Sequence, residues 1–153
     1  MAQAQADWIV KMEPWRGLGY RAPALGRWLA RSAREQVVWA ARGGRGASAE
    51  IRGVIVVERP FLLGGFISLL VVRPAAAGQG VGRALVEHVE RQIFVEERKR
   101  WLYVSTDAGN RAALGFYRAL RFVRVGRLPD LIREGRTEIL LRKAPTAHVA
   151  PHR

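Results

Sequence analysis

Three glycines at alternate positions, Gly78, Gly80 and Gly82, separate an apolar run from a helical one. Phe66 to Val72 (FISLLVV) is rich in β-branched side chains and suits a buried strand. From Arg83 onward, Leu85, Val86 and Val89 fall on one side of a helix. A strand, a glycine-rich turn and a helix start together make an anion site. Glycine lets the backbone bare its N–H groups to a ligand, and the helix N-terminus adds a partial positive charge. A phosphate-bearing ligand is the natural guest of the segment Ala77, Gly78, Gln79, Gly80, Val81, Gly82 and Ala84, and Arg83 adds a charged donor at its rim. A plain strand-to-helix turn would use the same glycines, so the loop alone leaves both readings open.

Two families use such a loop. A dinucleotide-binding Rossmann unit needs G-x-G-x-x-G directly after its strand and an acidic residue about 20 positions on. Here the spacing is G-x-G-x-G, and Pro74 stands between strand and glycines. Asp107 after the strand-like WLYVS keeps only a diluted version of that pattern. Val72, Pro74 and GQGVGRA resemble instead the V-x-P…G-x-G-x-G/A signature of the GNAT N-acetyltransferases, whose loop grips the pyrophosphate of acetyl-CoA. Ala77 departs from the Gln or Arg usual there, which shifts the grip to the loop backbone, with Gln79 and Arg83 as support. Asn110 to Phe122 (NRAALGFYRALRF) resembles the family's N-x-x-A-x-x-F-Y-x-x-x-G-F, matching at Asn110, Phe116, Tyr117 and Phe122, and at Ala113 within one residue. Arg121 replaces the glycine, so the helix is expected to lose its left-handed cap.

The resemblance implies an acetyl-CoA-dependent N-acetyltransferase that needs no metal. It places Leu70, Val71, Val72, the glycine loop, Asn110 and Phe116 against the co-substrate. Tyr117 becomes the acid that protonates the leaving thiolate, and the N–H of Leu70 or Val72 the donor to the carbonyl oxygen. A core tyrosine is the alternative for Tyr117. The base is open: Phe66 and Tyr103 occupy the positions where family members carry a glutamate, leaving Glu58, Asp107, Asp130, Glu138 or water. The acceptor is a primary amine on a small molecule or a peptide. A basic adaptor of the same fold, binding acyl-CoA or nucleic acid without turnover, is the competing reading.

The elements that must position these residues follow from periodicity. Residues 8–22 read as apolar and turn-rich, and Pro23 opens a helix bearing Leu25, Trp28 and Leu29. Gln36 to Ala41 and Ile51 to Arg59 read as strands, the second placing Arg52, Val54, Val56 and Glu58 on one face. Pro60 to Gly65 turns the chain into the Phe66–Val72 strand. Short connections favour an antiparallel meander over the parallel Rossmann order. A helix from Arg83 to about Arg100 carries a Glu87–Arg91 pair and a surface His88. Trp101 to Ser105 then runs parallel to Phe66–Val72. After a turn at 107–110, the helix Arg111–Leu120, strands Phe122–Val125 and Glu138–Arg142, and a loop Leu128–Arg136 complete an α/β (α+β) fold. Its mixed, mostly antiparallel sheet has six to seven strands and about four helices, and splays between the fourth and fifth strands.

The chain has 153 residues, enough for one domain, expected over 1–143 with a mobile tail over 144–153. With 49% hydrophobic residues it is not a disordered composition. There is no cysteine, and His88, His148 and His152 have no ligand spacing, so no metal is expected. The first residues are not read as a signal peptide and no apolar run is long enough to span a membrane, so a cytoplasmic protein with no membrane partner is expected. The net charge of +13 is spread along the chain and densest from Arg111 to Arg136, which fits a polyanionic ligand better than a dedicated nucleic-acid patch. A homodimer is left open.

Overall fold

The computed structural model describes residues 1–35, 38–44 and 50–146. The end of the tail, the start of the Gln36–Ala41 strand and most of the following loop therefore lie outside the described residues. The chain divides into two compact units, Met1–Trp39 and Ala40–Arg153.

The first unit holds two helices, α1 (Ala2–Ile9) and α2 (Ala22–Arg34). Pro23 lies in the first turn of α2, where a missing N–H costs nothing. α1 buries Ala6 and Ile9, and α2 buries Leu25, Leu29 and Ser32. A side chain at Gly26 would run into Gln3, so the two helices pass closely there. α1 has no strong apolar period, and its last residues fall in the segment expected to be turn-rich.

The second unit is built on a six-stranded sheet in the order β1-β2-β3-β4-β6-β5. The strands are β1 (Val38–Gly43), β2 (Glu50–Phe61), β3 (Gly64–Val72), β4 (Trp101–Asp107), β5 (Val123–Pro129) and β6 (Thr137–Lys143). β2 and β3 form an antiparallel hairpin, β3 and β4 pair in parallel, and β6 pairs antiparallel with both β4 and β5. This mixed sheet removes the Rossmann alternative. The turn expected at Pro60–Gly65 is shorter: β2 runs through Pro60 to Phe61, and only Leu62 and Leu63 connect it to β3. An irregularity in the pairing between Glu58 and Phe61 accommodates Pro60, which has no N–H to donate. β5 likewise continues to Pro129, so the expected loop shortens to residues 130–136.

The helix expected from Arg83 to Arg100 is α3 (Val81–Glu90) followed by a wide π-turn over Arg91–Glu96. The N–H of Glu97 reaches back five residues to the Gln92 carbonyl at 2.9 Å. That widened turn keeps Ile93 and Phe94 buried, and Arg98 then breaks the helix at φ +52. Glu87 pairs with Arg83 at 3.8 Å rather than with Arg91. His88 is half-buried rather than on the surface. Two glycines let α3 and the π-turn after it lie close on the sheet. A Cβ at Gly53 would stand 2.9 Å from Val81 and 3.1 Å from Leu85, and one at Gly65 2.8 Å from Ile93. Lys143 at the end of β6 and Glu90 at the end of α3 form a largely buried ion pair at 2.5 Å. Losing either partner would strand the other charge.

α4 (Arg111–Ala119) ends differently from expectation. Arg121 itself takes the left-handed conformation, at φ +68. Its N–H bonds the Arg118 carbonyl at 2.9 Å, and the Phe122 N–H bonds the Tyr117 carbonyl at 3.0 Å. This is a Schellman termination, completed by the Tyr117–Phe122 ring contact at 5.4 Å. The buried Phe122 holds the turn in place, so an arginine is forced where glycine would sit without strain. Arg121→Gly should therefore raise stability by about 0.5–1 kcal/mol, after the greater freedom of glycine in the unfolded chain is deducted. Urea unfolding of the two proteins checks it.

Candidate active site

β3 and β4 pair only from Gly64–Trp101 to Ile67–Val104. Beyond that point β3 stays with β2 and β4 stays with β6, so the sheet opens between its third and fourth strands. Among the described residues one strand precedes the hairpin, which sets the opening one place earlier in the count than expected. A bulge at Ser68 accompanies the opening. Val57 pairs with Ile67 but Val56 with Leu69, and the skipped Ser68 turns its hydroxyl to the Val56 carbonyl at 3.4 Å. One extra residue reverses the alternation of side chains. Leu70 and Val72 thus share the face of Gly53, on which α3 lies, while Leu69 and Val71 join Phe66 on the other.

Backbone direction follows from one hydrogen bond. The Arg73 N–H donates to the Arg52 carbonyl of β2 at 2.7 Å. N–H direction alternates along a strand. The N–H groups of Leu70 and Val72 therefore point away from β2, toward the side from which β4 has diverged. The N–H of Val71 faces β2.

The glycine loop leads from this edge to α3. Pro74–Ala76 form a single 3₁₀ turn, Ala77 is extended, and Gly78 and Gly80 have φ of +73 and +79, the two positions where glycine is required. Gly80 is the N-cap of α3 and offers no side-chain acceptor. The first helical bond runs from the Ala84 N–H to the Gly80 carbonyl at 3.0 Å, so Val81, Gly82 and Arg83 have N–H groups without a helical partner. No acidic side chain lies in this first turn. Gln79 is engaged within the loop: its carbonyl accepts from Arg52 at 2.7 Å and its amide donates to the Ala75 carbonyl at 3.1 Å. It thereby fixes a guanidinium beside the loop in the place where Ala77 offers nothing. Arg83 is exposed and, among the described residues, makes a loose contact with Glu87.

α4 closes over the loop. A Cβ at Gly82 would lie 3.3 Å from the Phe116 ring and 3.6 Å from Val72, so glycine here admits Phe116 to the first turn of α3. Phe116 meets Tyr117 edge-on at 5.1 Å. Asn110 caps α4, its side-chain oxygen accepting from the Ala113 N–H at 3.1 Å, which leaves its amide donors for other use. Tyr117 is buried, its hydroxyl has no hydrogen-bond partner among the described residues, and burial pushes the phenol well above its ordinary pKa of 10. It holds its proton at every physiological pH.

The four carboxylates separate clearly. Asp130 closes the β5–β6 turn, accepting from the Gly135 N–H at 2.7 Å. Asp107 takes two bonds from Arg136, at 2.8 and 2.6 Å, and one from the Gly109 N–H, and the guanidinium holds its carboxyl below the usual range. Glu58 pairs across from Phe66, about 13 Å along the strand from Leu70. Glu138 lies opposite Asp107 on β6, just past the point where β4 leaves β3. Burial raises its pKa, with Asp107 adding to the rise and a hydrogen bond from Ser105 and the charge of Arg136 opposing it. Cross-strand pairing puts Glu138 and Ser105 on the face opposite Val104 and Leu141. Lys143, in phase with Leu141, reaches α3, so Glu138 projects to the side away from α3. Sequence pattern carries no signal for Ser68, Ser105 or Arg136, whose partners are set by strand register, or for Arg52, whose partner Gln79 lies 27 residues on in the loop.

The sequence pattern of the acetyltransferase (GNAT) family matches residues 3–122. The chain belongs to that family. GNAT structures share its fold. A ribosomal-protein-alanine N-acetyltransferase from Brucella melitensis is 19% identical, with 94% of this chain and 96% of that one covered at a TM-score of 0.66. Ard1 from Thermoplasma volcanium is 20% identical, with 83% and 81% covered at 0.68. The NatC complex bound to Gag peptide and CoA is 22% identical, with 83% and 81% covered at 0.63. At these identities the likeness shows the GNAT fold alone.

The raised Tyr117 pKa has a stability consequence with a definite sign. Below pH 10 the phenol is protonated in both folded and unfolded chains. Above it, the unfolded chain loses that proton while the folded chain retains it, so stability falls as pH rises. The melting temperature should drop between about pH 10 and 11 more steeply in the natural protein than in Tyr117→Phe.

Proposed function

We propose that this GNAT protein transfers the acetyl group of acetyl-CoA to a primary amine carried by a small molecule or a peptide. What supports this most is the adjacency of two sets of backbone donors: the uncapped start of α3, suited to a pyrophosphate, and the Leu70 and Val72 N–H groups on the open edge of β3. Arg52, held by Gln79, and Arg83 add positive charge at the phosphate end. Acetyl-CoA supplies an acyl group activated as a thioester. Along the β3 edge its pantetheine chain would find amide partners, and the Leu70 or Val72 N–H would polarise the thioester carbonyl.

Each proton has a holder. Glu138, with its raised pKa and its place on the side away from α3, takes the proton that the attacking amine must lose, directly or through water. A carboxylate shifted upward is a better base near neutrality than Asp107, which Arg136 keeps acidic. Tyr117, held neutral by burial, returns a proton to the thiolate leaving group.

Titration calorimetry with CoA tests the first step, and an absence of heat at millimolar CoA overturns the reading. Tyr117→Phe should lower kcat roughly tenfold to a hundredfold with CoA affinity unchanged. Equal turnover removes Tyr117 as the acid. Glu138→Gln should lower kcat by about 10²-fold or more and abolish the acidic limb of the pH profile, which in the natural protein should lie above the usual carboxylate range. A surviving limb would reassign the base.

A further inference from the structure

The β2–β3 hairpin ends in two adjacent leucines, Leu62 and Leu63, exposed by 64% and 73%. Both have positive φ, 39° and 64°, the signature of a two-residue type I′ turn. That turn favours Asn-Gly, and bulky L-residues fit it poorly. Two large apolar side chains are thus held in water, in a backbone conformation they do not favour, and both stay mostly exposed among the described residues. The tip lies at the end of β3 and β4 away from the glycine loop, so it is no part of the site described above.

Basic and amphipathic residues surround it. The Arg100 N–H donates to the Leu63 carbonyl at 3.1 Å, and the Tyr103 hydroxyl to the Leu62 carbonyl at 3.3 Å. Arg98, Lys99 and Arg100 follow the π-turn, with Arg98 and Arg100 exposed. Trp101 is half-buried, with the Arg142 guanidinium 3.7 Å over its ring. Val95 on the π-turn is also exposed. Of the nearby acids, Glu97 is taken by Arg59 and Glu96 accepts from Gln92, while Glu58 is exposed on β2.

We infer that this end of the molecule docks on an anionic phospholipid surface, Leu62 and Leu63 entering the boundary between headgroups and acyl chains, with Arg98, Lys99 and Arg100 on the phosphates. Long basic side chains around a small apolar tip can bury their stems and keep their charges at headgroup level. A second copy of the chain is the poorer occupant, because two such tips would set Arg98, Lys99 and Arg100 against their counterparts. The docking is on the surface: no helix among the described residues is long and apolar enough to cross a membrane. Burying a leucine strengthens binding by roughly tenfold or more, and a basic residue near an anionic surface by several-fold, so two leucines and three cations suffice for reversible attachment. This inference is independent of the acetyl-transfer reading.

Cosedimentation with phosphatidylcholine vesicles, with and without about 30 mol% phosphatidylglycerol, tests it. The natural protein should pellet with the anionic vesicles and roughly tenfold less with the neutral ones, and should be released as salt rises. Replacing Leu62-Leu63 by Asn-Gly should raise the melting temperature, since the turn then has its favoured residues, and lower vesicle binding by roughly tenfold or more. Leu63→Asp, a surface change that keeps Leu62, gives a second loss-of-binding variant should the double replacement disturb the hairpin. Failure of the natural protein to bind anionic vesicles, or unchanged binding in both variants, overturns the proposal. So does a dimer in sedimentation velocity that Leu63→Asp abolishes while vesicle binding persists.

Discussion

The parting of β3 from β4 governs what the rest of the second unit can do. Four residue pairs hold the strands together, and after Ile67 and Val104 each strand remains bonded only on its outer side. A sheet interior normally leaves no backbone group unpaired, because a buried N–H without a partner is costly. Here the cost is concentrated on one edge, beside a helix start that is also uncapped. The two sets of donors are therefore a single extended demand for an acceptor-rich ligand.

Close approach makes that arrangement rigid. Gly53 and Gly65 let α3 and the π-turn that follows it settle onto the sheet, and Gly82 lets Phe116 of α4 settle onto α3. The Glu90–Lys143 pair ties the far end of α3 to β6 at the level where β3 and β4 are still paired. The two sides of the gap are thus joined by helices above it and by only four strand pairs below it. The bulge at Ser68 exchanges which side chains of β3 face α3, so Leu70 and Val72 turn toward the helix.

Much of this is legible in the residues, and the limits are physical. The glycine loop is readable because positive φ and backbone exposure demand glycine at Gly78 and Gly80, and a strand–loop–helix leaves a local trace. Asn110 is readable as a cap because the cap is satisfied three residues away. Sequence alone does not separate Glu138 from Asp107, Asp130 or Glu58, since their differences lie in partners reached through the fold: Arg136 for Asp107, Gly135 for Asp130, Ser105 for Glu138. The left-handed Arg121 runs against local preference, because the burial of Phe122 outweighs the strain. α3 is shorter than its apolar pattern suggests because the π-turn keeps the apolar residues inward while changing the hydrogen-bond period beneath them.

The short parallel seam also bears on how the chain assembles. The β2–β3 and β5–β6 hairpins rest on contacts close in sequence, whereas the seam joins residues 37 positions apart, from Gly64 to Trp101, and the β4–β6 pairing residues 31 to 41 apart, the latter through six pairs and the seam through four. Contacts of that separation carry the larger loop-closure cost and the smaller return when only four pairs form. Of the long-range joins in the second unit the seam returns the fewest pairs for its closure cost, and the groove that would take the thioester opens directly from it.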